Sequence, residues 1–183
     1  MAVNATKSGA AERVLVGRVG VGRQALAYTE VLLLALWIGS MAFFSFAVAP
    51  GAFQALPSRH LAGLIVANTL TKVEMIGLIV GPLLLLLQLA TWNVRREGKI
   101  GKALRLILLT VMTASAALSR LWVSASMNEL RNAMGGVIDN VPATDPLRVQ
   151  FNDLHQYSVA LMSVALFSGL AVLFLTVRSW LKR

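Results

Sequence analysis

The stretch MIGLIVGPLLLLLQLATWN, from Met75 to Asn93, runs without a single charged residue. A helix needs about 20 mostly apolar residues to cross the hydrocarbon core of a bilayer, and this run meets that requirement. Three further windows do the same. Val31 to Ala49 is uncharged and closes at Pro50-Gly51. Leu106 to Ser119 is uncharged and continues through Arg120 to about Met127. Tyr157 to Val177 is uncharged throughout. No ten-residue segment of alternating polarity points to a barrel. The expected fold is all-α, a four-transmembrane-helix bundle with helices at about 27–49, 61–93, 103–127 and 155–178. Residues 27–183 would form the membrane domain, preceded by a basic cytoplasmic tail at residues 1–26.

Composition agrees with a lipid solvent. The chain has 183 residues, 57% hydrophobic and only 14% charged, whereas a soluble domain averages about 25% charged and 45–50% apolar. Its 17 Lys+Arg against 8 Asp+Glu give a formal charge of +9. A basic balance often marks a nucleic-acid partner, but the charge density here is too low for one, and none is expected. The absence of cysteine excludes disulfides, thiolate zinc sites, Cys-ligated iron–sulfur clusters and covalent c-type haem.

The basic residues set the expected orientation, because Lys and Arg concentrate on the cytoplasmic side of membrane helices. Lys7, Arg13, Arg18 and Arg23 precede the first span, Arg95, Arg96, Lys99, Lys102 and Arg105 join the second to the third, and Arg178, Lys182 and Arg183 follow the fourth. Only Arg59, Arg131 and Arg148 flank the other connections. Both termini are therefore expected in the cytoplasm of a bacterial cell, the chain residing in the inner membrane. Trp92 and Trp180 would lie in an inner aromatic belt, Trp122 and Tyr157 in an outer one. Pro50 and the length of the apolar run argue against cleavage after Ala47-Val48-Ala49, so the first span reads as an uncleaved anchor.

In the tail, Arg13, Arg18 and Arg23 are five apart, a spacing that walks around a helix instead of marking one face. Gly17, Gly20 and Gly22 lack the preceding strand that a dinucleotide fingerprint needs. A tail lying on anionic headgroups is the expectation. In the long connection, Asn128 to Ala133 extends the third helix until Gly135-Gly136 and Pro142 to Pro146 break it.

Ionisable residues inside a span are costly and so are candidate functional groups. Counting about 1.5 Å per residue, His60, Lys72, Glu74, Arg120 and His155 fall in one outer layer, while the inner half offers Glu30 and Gln88. Glu74 and Lys72 are two apart and face different ways. Glu74 is expected to pair with Arg120 across the second and third helices, either pinning them together or lining a polar cavity. Lys72 would snorkel to the headgroups. His155, Ser158 and Met162 fall at i, i+3 and i+7 on the fourth helix, with Phe151 one turn earlier. The candidate polar cluster is therefore His60, Glu74, Arg120, His155 and Ser158, structural or ligand-binding.

No cofactor is expected outright. His60 and His155 are the candidate metal ligands, as an imidazole pair for haem, chlorophyll or copper. Copper would also draw on thioethers such as Met41 or Met162, which are soft ligands, although methionine is ordinarily core filler. No nucleophile–base pair, metal-binding histidine spacing or phosphate loop occurs, so no enzyme is expected. Gly39, Ser40, Ala42 and Ser45 would let the first helix approach its neighbours closely, and Gly77 and Gly81-Pro82 would kink the second.

Three segments resemble the transmembrane protein 205-like family, four-helix proteins carried in bacteria largely as a domain of unknown function. They are Leu36-Trp37-Ile38-Gly39 with Phe43-Phe44, Ala49-Pro50 and Phe53; Leu56-Pro57-Ser58-Arg59-His60-Leu61-Ala62-Gly63; and Phe151-Asn152-Asp153-Leu154-His155-Gln156-Tyr157-Ser158. The resemblance covers about Leu33 to Phe174. Arg120 matches an arginine the family carries in its third helix. Met162 departs from it, standing where family members usually place Asn.

The expectation is a non-catalytic accessory or binding component of the bacterial inner membrane. It would contact anionic lipid at its cytoplasmic face and other membrane subunits or copies of itself. The rivals are a subunit of a larger respiratory or photosynthetic complex contacting lipid or pigment, and a copper-handling or small-solute transport protein.

Overall fold

In a computed structural model, the backbone is described for residues 2–93 and 97–181, and side chains for residues 22, 24–93 and 97–179. The side chains of Lys7, Arg13, Arg18, Arg23, Arg95, Arg96, Trp180, Lys182 and Arg183 lie outside these described residues. All regular structure among them is helical: α1 (Ala2–Phe43), a π-helical turn (Phe44–Val48), α2 (Ala49–Ala55), α3 (Arg59–Ala90), α4 (Lys99–Leu118), a second π turn (Ser119–Val123), α5 (Ser124–Ala133), a short 3-10 turn (Ile138–Asn140) and α6 (Pro146–Leu181). The π turns join helices without a break. Four stretches are long and apolar enough to cross a membrane: Gln24–Ala55, Arg59–Ala90, Lys99–Ala133 and Pro146–Ser179.

The helix ends follow local chemistry. Ser58 caps α3, its hydroxyl accepting the amide of Leu61, the short polar side chain satisfying an amide left free in the first turn. Asp145 accepts the amide of Leu147 at 2.8 Å and Pro146 opens α6, where a missing N–H costs nothing. The fourth helix therefore starts nine residues before the expected His155. Its early turns, too polar to read as membrane, pack on α5 instead, with Arg131 over the Phe151 ring at 5.6 Å. Gly135 and Gly136 end the third span as expected. Both have positive φ (76° and 85°), and the Gly136 amide returns to the carbonyl of Arg131, a closure that disfavours any side chain.

Each span packs on the next in sequence, and α6 closes on α1, the arrangement short connections impose on a bundle. Antiparallel pairing is visible in the contacts. Down the second and third spans, Glu74 meets Ser124, a Cβ on Gly77 would touch Ala116, one on Gly81 would collide with Thr113, and Gln88 reaches the carbonyl of Lys102. The core holds Leu34, Trp37, Ile38 and Met41 of α1 against Val80 and Leu84 of α3 and Leu109 and Met112 of α4, with Ala165 and Val172 of α6. Outward-facing Leu36, Phe46, Ile79, Leu121 and Phe167 are more than half exposed, as lipid contact requires.

Close helix approach occurs elsewhere than expected. A Cβ on Gly39 would meet nothing within 4 Å, so this glycine does not make a tight contact. Gly77 instead leaves room for the Trp37 indole, while a Cβ on Gly81 would fall 2.6 Å from Thr113 and one on Gly169 2.9 Å from Ile38 and Met112.

Candidate functional site

Two buried polar clusters sit at different levels of the bundle. The first centres on Glu74 of α3, only 5% exposed. Ser119 donates to its Oε1 at 2.6 Å, and Ser124 donates to Oε1 at 2.8 Å and Oε2 at 3.1 Å. These serines are five apart, which in an α-helix puts them about 140° apart around the axis. The π turn removes that offset. The Ser124 amide bonds the Ser119 carbonyl, the i to i+5 link that stacks both residues on one side, and both hydroxyls face the carboxylate.

The serines take the contact positions expected of Arg120, whose charge acts on Glu74 only at longer range. Arg120 is half-buried and makes no ion pair within 4 Å among the described residues, because its position within the turn leaves Ser119 and Ser124 facing Glu74. Beside the carboxylate lies a cavity of about 20 Å³, lined by Trp37 and Met41 of α1, Glu74, Ser115 and Ser119, and Met162 of α6. A space of that size holds one water molecule or one monatomic ion. The other π turn borders the same region. Its Ser45 donates to the sulfur of Met162 at 3.2 Å.

Among the described residues no hydrogen bond or ion pair joins the remaining members of the expected cluster to one another or to Glu74. His155 is exposed and His60 half-buried. Ser158 is buried, but it belongs to the Leu154–Ser158–Ala165–Val172 stripe of α6, from which His155 is offset. No group of three or more His, Asp or Glu that could hold a metal ion occurs among the described residues. The imidazole pair expected for haem, chlorophyll or copper thus has no supporting ligand set of that kind. Trp122 and Tyr157, expected in one belt, do stack, with ring centroids 6.5 Å apart.

The second cluster lies near the opposite ends of the same helices. Arg105, grouped by sequence with the basic topology signals between the second and third spans, lies in α4 and is fully buried. It pairs with buried Glu30 of α1 and, at 3.1 Å, with Glu97 from the α3–α4 connection. Gln88, Thr91 and Thr176 are buried as well. A sequence signal for the pair existed. Glu30, Leu34, Trp37 and Met41 repeat at helical spacing, as do Arg105, Leu109 and Met112, so both charges extend the core-facing stripes of their helices.

An exposed apolar surface, four helices long and apolar enough to span a bilayer and two buried polar clusters are compatible with a multi-pass helical membrane protein. Residues 32–135 match the model of the domain of unknown function DUF4149, and the chain belongs to that family. No curated protein and no solved structure gives a significant match.

Proposed function

We propose that the protein is a non-catalytic binding component of the bacterial cytoplasmic membrane whose binding element is the cavity beside Glu74. One observation carries this reading: a buried carboxylate held by two serine hydroxyls, with room for a guest beside it and no cation within 4 Å among the described residues. A carboxylate in a membrane interior is expensive unless compensated; Arg120 acts on this one only from beyond 4 Å, and a small cation entering the cavity supplies the closer compensation. The resemblance to the transmembrane protein 205-like family supports the same placement in the membrane. On this reading both termini are cytoplasmic, and the basic residues of the tail, the α3–α4 connection and the C-terminus contact anionic lipid.

The test is thermal unfolding of the full chain in mild detergent against a panel of alkali, silver and ammonium ions. At least one cation is expected to raise the Tm of the wild type, since a ligand that prefers the folded state stabilises it. Glu74→Gln should lose that shift, while Glu97→Gln, in the other cluster, should keep it. Equal responses of wild type and Glu74→Gln to every cation would overturn the reading.

A further inference from the structure

We propose that the guest is a single soft monovalent metal ion, of the Cu(I) or Ag(I) class, bound between the thioethers of Met41 and Met162 with the Glu74 carboxylate balancing its charge. The inference rests on the cation-binding reading above and names the class of cation.

Four observations select this class. The cavity of about 20 Å³ has room for one atom-sized guest beside the carboxylate. The single carboxylate lining it, already in the field of Arg120, leaves charge for at most one monovalent ion, whereas a divalent ion would leave a charge buried and unpaired. Hard cations take six or more oxygen ligands, and here the side-chain oxygens are those of Glu74, Ser115 and Ser119, with the Ser119 hydroxyl already donating to Glu74. Thioether sulfur, in contrast, is a ligand that selects Cu(I). The chain has no cysteine and seven methionines, two of which line this one cavity from separate helices.

The sulfurs are also held in place. Met41 is 3% exposed within the core. The Met162 sulfur accepts the Ser45 hydroxyl at 3.2 Å, and Ser45 sits in a π turn of the first span. Both π turns thus position donors around the same cavity: one orients a sulfur, the other orients the carboxylate. No electron transfer is involved, so Ag(I) substitutes for Cu(I) as a probe.

The experiment is Ag(I) titration of the detergent-solubilised full chain in chloride-free buffer, read by calorimetry and by native mass measurement. One tightly bound ion per chain is expected. Met41→Leu and Met162→Leu, near volume-conserving changes, should each weaken it by roughly tenfold or more, the order seen when residues supporting a metal site are changed. The lipid-facing Met75→Leu should not. Binding of Ag(I) that survives both substitutions but is lost in His60→Ala or His155→Ala would overturn the inference. So would stabilisation by Na⁺ or K⁺ through Glu74 with no Ag(I) binding, an outcome that leaves the cation-binding reading standing. If no cation binds at all, both fall.

Discussion

Arg105 decides more about this molecule than any other single side chain. It lies in α4 at 0% exposure with carboxylates from two other segments on its guanidinium. Guanidinium suits such a place because its fork of donors engages several oxygens at once. Removing one partner of a buried pair strands the other charge. Arg105→Leu is therefore expected to destabilise the bundle by about 3–5 kcal/mol, and Glu30→Gln by a similar amount, measured by denaturant unfolding in detergent. Replacing both with Leu should recover most of the loss, because well-packed apolar residues substitute for buried pairs at little cost. Losses that simply add in the double variant would show that the two residues act independently. At Glu74 the expected cost is smaller and divided: Ser124→Ala should lose about 1.5–3 kcal/mol, the range for a hydrogen bond to a charged group.

At the scale of elements, the π turn at Ser119–Val123 behaves as one residue inserted into a regular helix. Deleting the lipid-exposed Leu121 should restore α geometry and leave the two serines four apart, still on one face. That deletion is expected to fold, as judged by monodisperse elution and helical circular dichroism. Deleting the equally lipid-facing Ile107 would rotate the rest of the span by about 100° and turn its apolar stripe away from the core. That variant should not fold. The glycines divide in the same way. Gly81→Ala would place a Cβ 2.6 Å from the Thr113 hydroxyl and should cost about 1–3 kcal/mol through overpacking. Gly39→Ala meets nothing within 4 Å and should stabilise by about 0.5–1 kcal/mol through helix propensity. Thermal unfolding of both variants checks the pair.

For the whole molecule, the proposed orientation can be read directly because the chain has no cysteine of its own. Ala143→Cys, exposed in the loop before α6, should react with a membrane-impermeant maleimide on intact cells. Lys99→Cys, exposed at the start of α4, should react only after the membrane is opened. The reverse pattern would invert the topology.

The legibility of this protein follows from what lipid demands. Four uncharged windows and the Gly135-Gly136 stop were readable from residue order alone, because hydropathy and local turn chemistry act within one segment, whereas the Ser58 cap starts the second span two residues before the expected Leu61. Position in sequence also singled out Glu74, since any ionisable group in a span stands out. Its partners did not show. Counting depth at uniform helical pitch pointed to Arg120, and a single π turn redirected the contact to Ser119 and Ser124. Charge counting likewise grouped Arg105 with the cytoplasmic topology signals, although its spacing to Leu109 and Met112 carried the signal of a core-facing residue. The sequence by itself thus determined the number of spans and which of their residues are costly in lipid, because those properties depend on one helix at a time. Only the tertiary structure decided how those residues are satisfied. That depends on helix rotation, on one extra residue in a turn, and on the small cavity left where the helices meet.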